Sequence, residues 1–371
     1  FKLKFLKKIF YYPFIFSIYL VFIFVALEVS LKLYFNKPIL KFVDYRVNDY
    51  ILIENKSAIS FDDDIGWIHK PYFSNSQMKF LEYGIRSNGD ESKKLEMEGI
   101  LVTGSSFTAG SGVKDKETWP AVLENKINMP VHNTAVGGYA VDQIIMRAKM
   151  LIDILKPIHV IMDMQDVTIQ WSAYSSRTYP KPYFKLENKK LVRHNKPVPQ
   201  AIKKGYLKNN EGRHGFLRKV LLNEYVGYSF FIHKLMTTFF NDVWLYDQWN
   251  VNKIEKDIDM IKLNCELIKE FSNYLKEKEI SLTLVSIPSG QEFEKKKKGK
   301  YLYGVESCIA KSDINMVEFF GDIIEDVDAK KITSFDIWAK WGDPPRAVGH
   351  PNSSGQKYFA EKIFQNIKNF H

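Results

Sequence analysis

The sequence predicts an α/β fold with a mostly parallel sheet, preceded by a helix that spans a membrane. From residue 60 onward, apolar runs typical of buried strands alternate with helical patterns. Such alternation produces right-handed crossovers and a parallel sheet covered by helices on both faces. Near the N-terminus, residues 9–27 contain no charged side chain. A segment of that length crosses the hydrocarbon core of a bilayer at about 1.5 Å per residue.

The uncharged segment is predicted to be a signal anchor that is not cleaved. Four lysines precede it within the first eight residues, and this excess favours a cytoplasmic N-terminus and an exported C-terminal domain. A cleaved signal peptide is one alternative. It has a shorter apolar region and a small-residue cleavage site, which the sequence EVSLKLYFNKP after Leu27 does not offer. A helix buried in a soluble core is the other alternative.

The predicted strands and helices follow one another along the chain. The first strand, Ile100–Thr103, ends in the small-residue stretch GSSFTAGSGV. Functional groups in parallel sheets gather at the carboxyl ends of the strands, which is where Ser106 lies. The other predicted strands are Pro130–His132, His159–Met164 and Leu282–Ile287, and the predicted helices are Thr118–Ile127, Val141–Leu155, Ile254–Glu279 and Ser354–Phe370.

Three segments are predicted. Residues 1–35 form a cytoplasmic basic tail and transmembrane anchor, residues 36–98 form a lead-in that packs on the main domain, and residues 99–371 form that domain. Residues 171–250 are an insertion that interrupts the alternation of strands and helices. They predict a hairpin turning at Glu187–Lys190 and then a helix with a broad apolar face around Val220–Phe240. An insertion of this size is typical of a lid, a cap or a partner surface.

Charge and cysteine content argue against two classes of function. The formal net charge is +10, and the four N-terminal lysines leave +6 without the basic face of a nucleic-acid-binding module. Cys265 and Cys308 make no metal-binding pattern, and no histidine, cysteine or aspartate cluster has the spacing of metal ligands. We therefore expect no nucleic acid, metal or cofactor. A disulfide between the two cysteines requires an oxidising compartment, and the sequence does not decide whether the two cysteines are bonded.

Four separated blocks carry a resemblance to a known family. They are DDDIGWIHKP…EYGIRSNGD with ILVTGSSFTAGSGVKDKETWPAVLE, NTAVGGYAVDQ at residues 133–143, HVIMDMQDVTIQ at 159–170, and GHPNSSGQKYFAEKI at 349–363. In this order and spacing the chain resembles the SGNH, or GDSL-like, hydrolases, and most of all bacterial members that are exported or membrane-anchored. The resemblance covers roughly residues 60–370, with the insertion matching less well.

The resemblance implies a three-layer α/β/α fold close to the flavodoxin arrangement. It also implies ester hydrolysis or acyl transfer, often on acetylated sugars. The nucleophile of the family falls on Ser106 and the base on His350. The oxyanion glycine falls on Gly138, next to Gly137, and the oxyanion asparagine falls on Gln165. An imidazole can take and return the hydroxyl proton near neutral pH, and the oxyanion donors stabilise the developing charge.

Three positions depart from the family pattern. Ser105 replaces the aspartate of the Gly-Asp-Ser block, Gln165 carries its amide on a stem one methylene longer than asparagine, and Ala347 occupies the position of the usual acid. A carboxylate normally orients the histidine and stabilises its charged form. Asp343 is the nearest candidate for this role and Asp336 lies further away. A backbone carbonyl is the alternative.

These residues leave two functional hypotheses. The first is a serine esterase or O-acetyltransferase, anchored in a bacterial inner membrane, that acts on acylated envelope carbohydrate from the periplasmic or extracytoplasmic side. Residues 171–250 would then shape the substrate cleft. The second is a catalytically degraded member that serves as a membrane-tethered scaffold, motivated by the changes at Ser105, Gln165 and Ala347. In that case the apolar helix around Val220–Phe240 contacts another envelope protein, because large apolar patches mark partners.

Overall fold

A parallel sheet forms the centre of the larger of two units in the chain. The computed structural model describes residues 2–40, 45, 58–89, 95–177, 179–198, 224–239, 252–253, 258–341 and 346–367. The larger unit consists of residues 58–201 and 251–371, and the smaller unit consists of residues 1–57 and 202–250. The C-terminal part of the predicted insertion therefore belongs to the same unit as the N-terminal segment.

Strands and helices alternate along the larger unit, and the elements described in the smaller unit are helices. The strands are β1 (Ile59–Asp62), β2 (Gly66–His69), β3 (Ile100–Thr103), β4 (Val131–Asn133), β5 (His159–Met164), β6 (Tyr174–Arg177), β7 (Tyr179–Pro180), β8 (Tyr183–Glu187), β9 (Lys190–His194), β10 (Asn252–Lys253), β11 (Ser281–Ser286), β12 (Asn315–Glu318), β13 (Trp338–Trp341) and β14 (Arg346–Pro351). The α-helices are α1 (Lys2–Tyr34), α2 (Ser106–Ala109), α3 (Trp119–Ile127), α4 (Val141–Leu155), α5 (Asp166–Trp171), α6 (Glu224–Gly227), α7 (Phe230–Phe239), α8 (Met260–Lys276), α9 (Gly290–Glu294), α10 (Lys300–Ile309), α11 (Phe319–Asp328), α12 (Ser334–Ile337) and α13 (Ser353–Ile367).

The central sheet has the strand order β4-β3-β5-β11-β12, and each neighbouring pair is parallel. When these five strands are numbered by their order in the chain, the arrangement is 2-1-3-4-5, which is the flavodoxin-like order. The remaining strands form short antiparallel pairings, among them β1 with β2, β8 with β9 and β13 with β14. The predicted α/β class with a parallel, flavodoxin-like sheet is confirmed.

Helices cover both faces of the central sheet, so that its strands are buried on both sides. Leu101 of β3 and Val160 of β5 pack in one hydrophobic cluster with α4 and α8. Their neighbours Val102 and Ile161 pack in a second cluster with α3 and α13. Side chains of a strand alternate between its two faces, and strands of parallel sheets are accordingly apolar throughout. The result is the three-layer arrangement, with the carboxyl ends of β3 and β5 side by side at one edge.

Several predicted elements have the bounds that the sequence indicated. β3, β5 and α4 match their predictions residue for residue. The hairpin that turns at Glu187–Lys190 is confirmed by the pairing of β8 with β9. The helix predicted from Ile254 begins at Met260, and residues 254–257 lie outside the described part of the chain. The elements β12, α10 and α11 were not indicated by the sequence patterns.

The smaller unit contains α1, α6 and α7. Within the described residues, one stretch, Tyr11–Tyr34 of α1, is long and apolar enough to cross a membrane, and its most apolar window is not buried against the rest of the chain. The predicted helix around Val220–Phe240 is divided in two where it is described. Ser229 lies at the division, and its hydroxyl accepts a hydrogen bond from the Ile232 N–H at 3.1 Å and so caps the start of α7.

A disulfide joins two helices of the larger unit. Cys265 of α8 and Cys308 of α10 are bonded, with their Cα atoms 6.4 Å apart and a sequence separation of 43. Both helices contribute side chains to the hydrophobic cluster on the α4 face of the sheet. The pairing that the sequence left open is therefore present in the structure.

Candidate active site

The turn after β3 carries the predicted nucleophile. Ser106 is the first residue of α2, and Ser105 precedes it as the N-cap residue. Residue 104 is glycine because the Asp163 carboxylate packs against it: a Cβ on Gly104 would lie 2.2 Å from a carboxylate oxygen of Asp163. Ser105 is buried, whereas Ser106 is partly exposed at the carboxyl edge of the sheet. Of the two serines, Ser106 is the one that a substrate can reach.

Side chains from distant parts of the chain hold the single turn of α2. Gln356 donates a hydrogen bond to the carbonyl of residue 107 at 2.9 Å, and Asn133 donates to the carbonyl of residue 108 at 3.0 Å. The Arg86 guanidinium donates to the carbonyls of residues 109 and 110 at 2.5 and 2.6 Å. Carbonyls at the end of a helix lack intrahelical partners. These buried side chains satisfy them and thereby fix the backbone that presents Ser106.

Asp163, at the end of β5, binds the same turn from the neighbouring strand. Its carboxylate accepts hydrogen bonds from the Ser105 N–H at 3.2 Å and from the Thr108 hydroxyl. The Thr108 oxygen also accepts one from the Trp119 indole N–H at 3.2 Å. Complete burial raises the pKa of Asp163 to about 6, although these hydrogen bonds oppose the shift. One side chain from each of the four motif blocks therefore meets the nucleophile turn, namely Arg86, Asn133, Asp163 and Gln356.

The predicted oxyanion glycines lie beside Ser106. A Cβ on Gly137 would lie 3.8 Å from the Cβ of Ser106. Gly138 has a φ of +85°, a left-handed conformation that glycine adopts without steric cost. The Trp67 indole N–H donates to the Gly137 carbonyl at 3.1 Å, and the Tyr139 hydroxyl donates to the Trp67 carbonyl. The β1–β2 hairpin thus holds the loop that carries the predicted oxyanion donor.

The predicted base, His350, lies near the end of β14 and next to the nucleophile turn. Its ring meets the Phe107 ring edge to face, with centroids 5.6 Å apart, and Phe107 directly follows Ser106. Among the described residues, no hydrogen bond joins the Ser106 hydroxyl to the His350 imidazole. Burial lowers the pKa of His350 below its ordinary value, which favours the neutral imidazole that a general base requires.

Gln165 follows β5 and precedes α5. Its side-chain nitrogen donates to the Ser105 hydroxyl at 3.0 Å, so one of its two N–H groups is engaged inside the turn. The use of its other N–H as an oxyanion donor stays a prediction. The next residue, Asp166, accepts hydrogen bonds from the N–H groups of Tyr301 and Leu302 and so caps the start of α10.

No carboxylate in the described part of the chain is hydrogen-bonded to the His350 ring. Asp343, the predicted third member of the catalytic set, lies among residues 342–345, outside the described residues. Asp336, the more distant candidate, accepts hydrogen bonds from the backbone N–H and the hydroxyl of Thr333, both at 2.7 Å. Asp336 is therefore engaged in the local cap of α12, and the role of Asp343 stays a prediction.

Four residues that shape the site were not singled out from the sequence: Trp67, Arg86, Asn133 and Gln356. Each donates a hydrogen bond to a backbone carbonyl near Ser106, and Gln356 does so across 249 positions of the chain. The signal available in the sequence was that all four stand inside the motif blocks.

The chain is similar to solved structures of GDSL-family hydrolases and esterases, the group that its motifs resemble. No protein-family model and no curated protein matches it in sequence. A protein assigned to the G-D-S-L lipolytic family from Desulfitobacterium hafniense is 12% identical, with a TM-score of 0.39, over 73% of this chain and 99% of that one. A catalytic mutant of an acetylxylan esterase from Geobacillus stearothermophilus is 10% identical, with a TM-score of 0.35, over 74% and 96%. A two-domain esterase active on acetylated mannans is 13% identical, with a TM-score of 0.36, over 74% and 49%.

Proposed function

We propose that the chain is a membrane-anchored serine esterase or O-acyltransferase that acts on acylated carbohydrate through an acyl-enzyme on Ser106. The placement of Ser106 carries this proposal. It is a partly exposed serine at the first position of α2, just past the carboxyl end of β3 in the central sheet, with Gly137 and the His350 ring nearby. Reactive groups in doubly wound sheets belong at this edge.

In the proposed reaction, the Ser106 hydroxyl oxygen attacks the ester carbonyl carbon while its proton passes to a ring nitrogen of His350. The tetrahedral intermediate collapses as the bond to the alcohol oxygen breaks, and His350 gives its proton to that oxygen. Water then attacks the acyl-enzyme to give the free acid, or a sugar hydroxyl attacks it to give a new ester. His350 takes the proton of the attacking group and returns it to Ser106.

Three donors are proposed for the oxyanion of the tetrahedral intermediate: the backbone N–H groups of Ser106 and Gly138 and the side-chain amide of Gln165. The N–H groups in the first turn of a helix have no intrahelical partner, which supports the use of the Ser106 N–H. Loss of one donor from such a site costs about 2.7–4 kcal/mol of transition-state stabilisation. The three donors together therefore supply a large share of the rate enhancement.

The substrate class and the cellular location rest on separate arguments. Acylated carbohydrate follows from the motif resemblance, because members of that family often act on acetylated sugars. The lysines before the span favour a cytoplasmic N-terminus, and we therefore assign the larger unit to the extracytoplasmic side of a bacterial inner membrane. The disulfide between Cys265 and Cys308 supports that side, because disulfides persist in oxidising compartments such as the periplasm.

A catalytically degraded scaffold is the second candidate function. Two observations favour it: among the described residues no hydrogen bond joins Ser106 to His350, and the Gln165 amide is engaged with Ser105. Catalytic hydrogen bonds are often long without substrate and shorten when it binds. The reactivity of Ser106 therefore decides between the two candidates.

Labelling with a fluorophosphonate probe measures that reactivity. The full chain is labelled in detergent micelles, and its intact mass is compared with those of Ser106→Ala and Ser105→Ala. We expect one adduct on the parent protein and on Ser105→Ala, and none on Ser106→Ala. Ser105→Ala is the matched control, because it removes the neighbouring buried hydroxyl. Absence of an adduct on the folded parent protein, or its loss in Ser105→Ala alone, would contradict the proposal.

Acetylated polysaccharide separates hydrolysis from transfer once Ser106 is shown to react. The measurement is acetate released in water and acetyl groups gained by an added unacetylated oligosaccharide, with Ser106→Ala as the blank. Release without an acceptor identifies an esterase, and transfer that requires the acceptor identifies an O-acyltransferase. If a protein that labels stoichiometrically gives neither free acetate nor an acetylated acceptor, acetylated sugars are excluded as the substrate class.

A further inference from the structure

Helix α7 contacts α1 within the stretch that is apolar enough to span a membrane. The Phe231 ring of α7 meets the Phe24 ring of α1, with centroids 5.7 Å apart. Phe24 precedes Tyr34, the end of that stretch, by a distance of about 15 Å at 1.5 Å per residue. The start of α7 therefore lies alongside the spanning stretch rather than beyond its end.

Glu28 holds this contact. Its carboxylate accepts hydrogen bonds from the Ser229 hydroxyl and from the N–H groups of Phe230 and Phe231, each at 2.8 Å. It also pairs with Lys32, one turn along α1, at 2.9 Å, and the side chains of Glu28 and Lys32 are only 14% and 4% exposed. Free N–H groups at a helix start suit an anion, and charges inside a bilayer are costly unless they are paired. Helix α7 thus satisfies the Glu28 carboxylate with its first N–H groups, and Glu28 in turn pairs with Lys32, the other charged group of an otherwise apolar stretch.

The face of α7 that begins at Phe231 continues as an apolar and exposed surface. Leu235 is 42% exposed and Phe239 is 70% exposed, and residues four apart share one face of a helix. Lys234 stands next to this face, with its Nζ 4.4 Å from the centroid of the Phe35 ring. An apolar helix face bordered by lysine is typical of a helix that lies in the interface of a bilayer, where lysine reaches toward the phosphate groups.

We propose that α7 is a second membrane-contacting element, and that its face with Leu235 and Phe239 inserts among the phospholipid acyl chains of the leaflet at the C-terminal end of α1. We choose lipid as the occupant of this face because α7 packs directly on α1, so that the exposed face adjoins the apolar stretch proposed to span the bilayer. The inference rests on the proposed anchoring by α1. It goes beyond that anchoring because it assigns part of the insertion to the membrane rather than to a substrate cleft.

Spin labels test the inference in the full chain, reconstituted into vesicles of phosphatidylcholine and phosphatidylglycerol. The two native cysteines are bonded to each other, so a single introduced cysteine takes the label. Leu235→Cys and Phe239→Cys report on α7, and Phe22→Cys, at a position 73% exposed, reports on the span. Tyr303→Cys is the matched control, because it is an apolar position of the larger unit with 65% exposure. Collision with oxygen and with a water-soluble nickel chelate is measured at each label.

We expect the labels at Leu235 and Phe239 to favour oxygen and to lie about 5–10 Å below the phosphate groups, while the label at Tyr303 favours the chelate. If the Phe239 label meets the chelate as readily as the Tyr303 label while the Phe22 label is immersed, the inference is overturned and the anchoring by α1 stands. If the Phe22 label is open to the chelate, the anchoring fails and the inference fails with it. Neither result alters the esterase proposal, which fluorophosphonate labelling tests separately.

Discussion

The indole nitrogen of Trp67 and the carbonyl oxygen of Gly137 are joined by a hydrogen bond of 3.1 Å across 70 positions of the chain. The Gly137 carbonyl and the Gly138 N–H belong to one peptide group, which is planar and trans, so the two point in opposite directions. A bond that fixes the carbonyl therefore fixes the direction of the N–H, one of the predicted oxyanion donors. The Tyr139 ring packs edge to face on the indole, with centroids 5.5 Å apart, and keeps it in place.

Trp67→Phe keeps an aromatic ring and removes the indole N–H. We expect the rate of fluorophosphonate labelling at Ser106 to fall by roughly ten- to a hundredfold, less than the loss of a whole oxyanion donor, because the Gly138 N–H stays but its direction is no longer fixed. Trp338→Phe is the matched control, since the Trp338 indole N–H is buried without a hydrogen-bond partner in the described part of the chain. Equal slowing in both variants would contradict the prediction.

Asp163→Asn is expected to change how stability depends on pH. The pKa of Asp163 is about 6 in the folded protein against 3.8 as the ordinary value, so the folded state holds this proton more tightly than the unfolded state. The free energy of unfolding should therefore fall by up to roughly 3 kcal/mol as the pH rises from about 4 to 7, at 1.36 kcal/mol per pKa unit. Asparagine does not titrate, and urea midpoints of the variant should lack this fall. The same fall in both proteins would mean that other groups cause it.

The pH dependence of labelling should report on His350. Burial holds its pKa below the ordinary 6.5, and the neutral ring is the base, so the labelling rate should rise with pH to half its maximum below about pH 6.5. His350→Ala should remove this rise and slow labelling by roughly 10²–10⁴-fold. A midpoint above about pH 7 would instead indicate a carboxylate beside the ring, with Asp343 as the candidate, because a negative neighbour raises the pKa of histidine.

Removal of the disulfide should destabilise the larger unit. The bond between Cys265 and Cys308 spans 43 positions, for which the chain-entropy model gives about 4 kcal/mol. We expect the double variant Cys265→Ala/Cys308→Ala to unfold at lower urea concentration than the parent protein. Added reductant should lower the midpoint of the parent and leave that of the variant unchanged. If reductant does not change the urea midpoint of the parent protein, the two thiols are not paired in solution.

Apolar runs in the strands and an amphipathic period in α4 made the central elements of the fold predictable. β3, β5 and α4 were predicted with the bounds they have, because their side chains face a core and leave a clear pattern in the sequence. β12 was missed, since it is an edge strand that pairs with β11 and its one buried residue is Val317. Such a strand carries neither a continuous apolar run nor an alternation of apolar and polar residues.

The order of the motifs located the candidate site but not the contacts that shape it. Ser106 and His350 were indicated by their blocks, and the His350 ring packs against Phe107, the residue after Ser106. The hydrogen bond from Gln165 to Ser105 could not be foreseen, because an amide on the longer stem has several groups within reach. Arg86 donates hydrogen bonds to backbone carbonyls. Every residue has a backbone carbonyl, so the residue types in the sequence do not indicate which carbonyls Arg86 binds.

The hydrogen bond between Glu28 and Ser229 joins residues 201 positions apart. At about 5–20 residues per second of synthesis, a ribosome adds Ser229 roughly 10–40 s after Glu28. Throughout that interval the hydrogen bonds from Ser229, Phe230 and Phe231 to the Glu28 carboxylate cannot form, and Lys32 of the same helix, once added, is what balances the charge. Residues 58–201, the part of the larger unit that lies between Glu28 and Ser229 in sequence, are therefore translated before α7 can pack on α1.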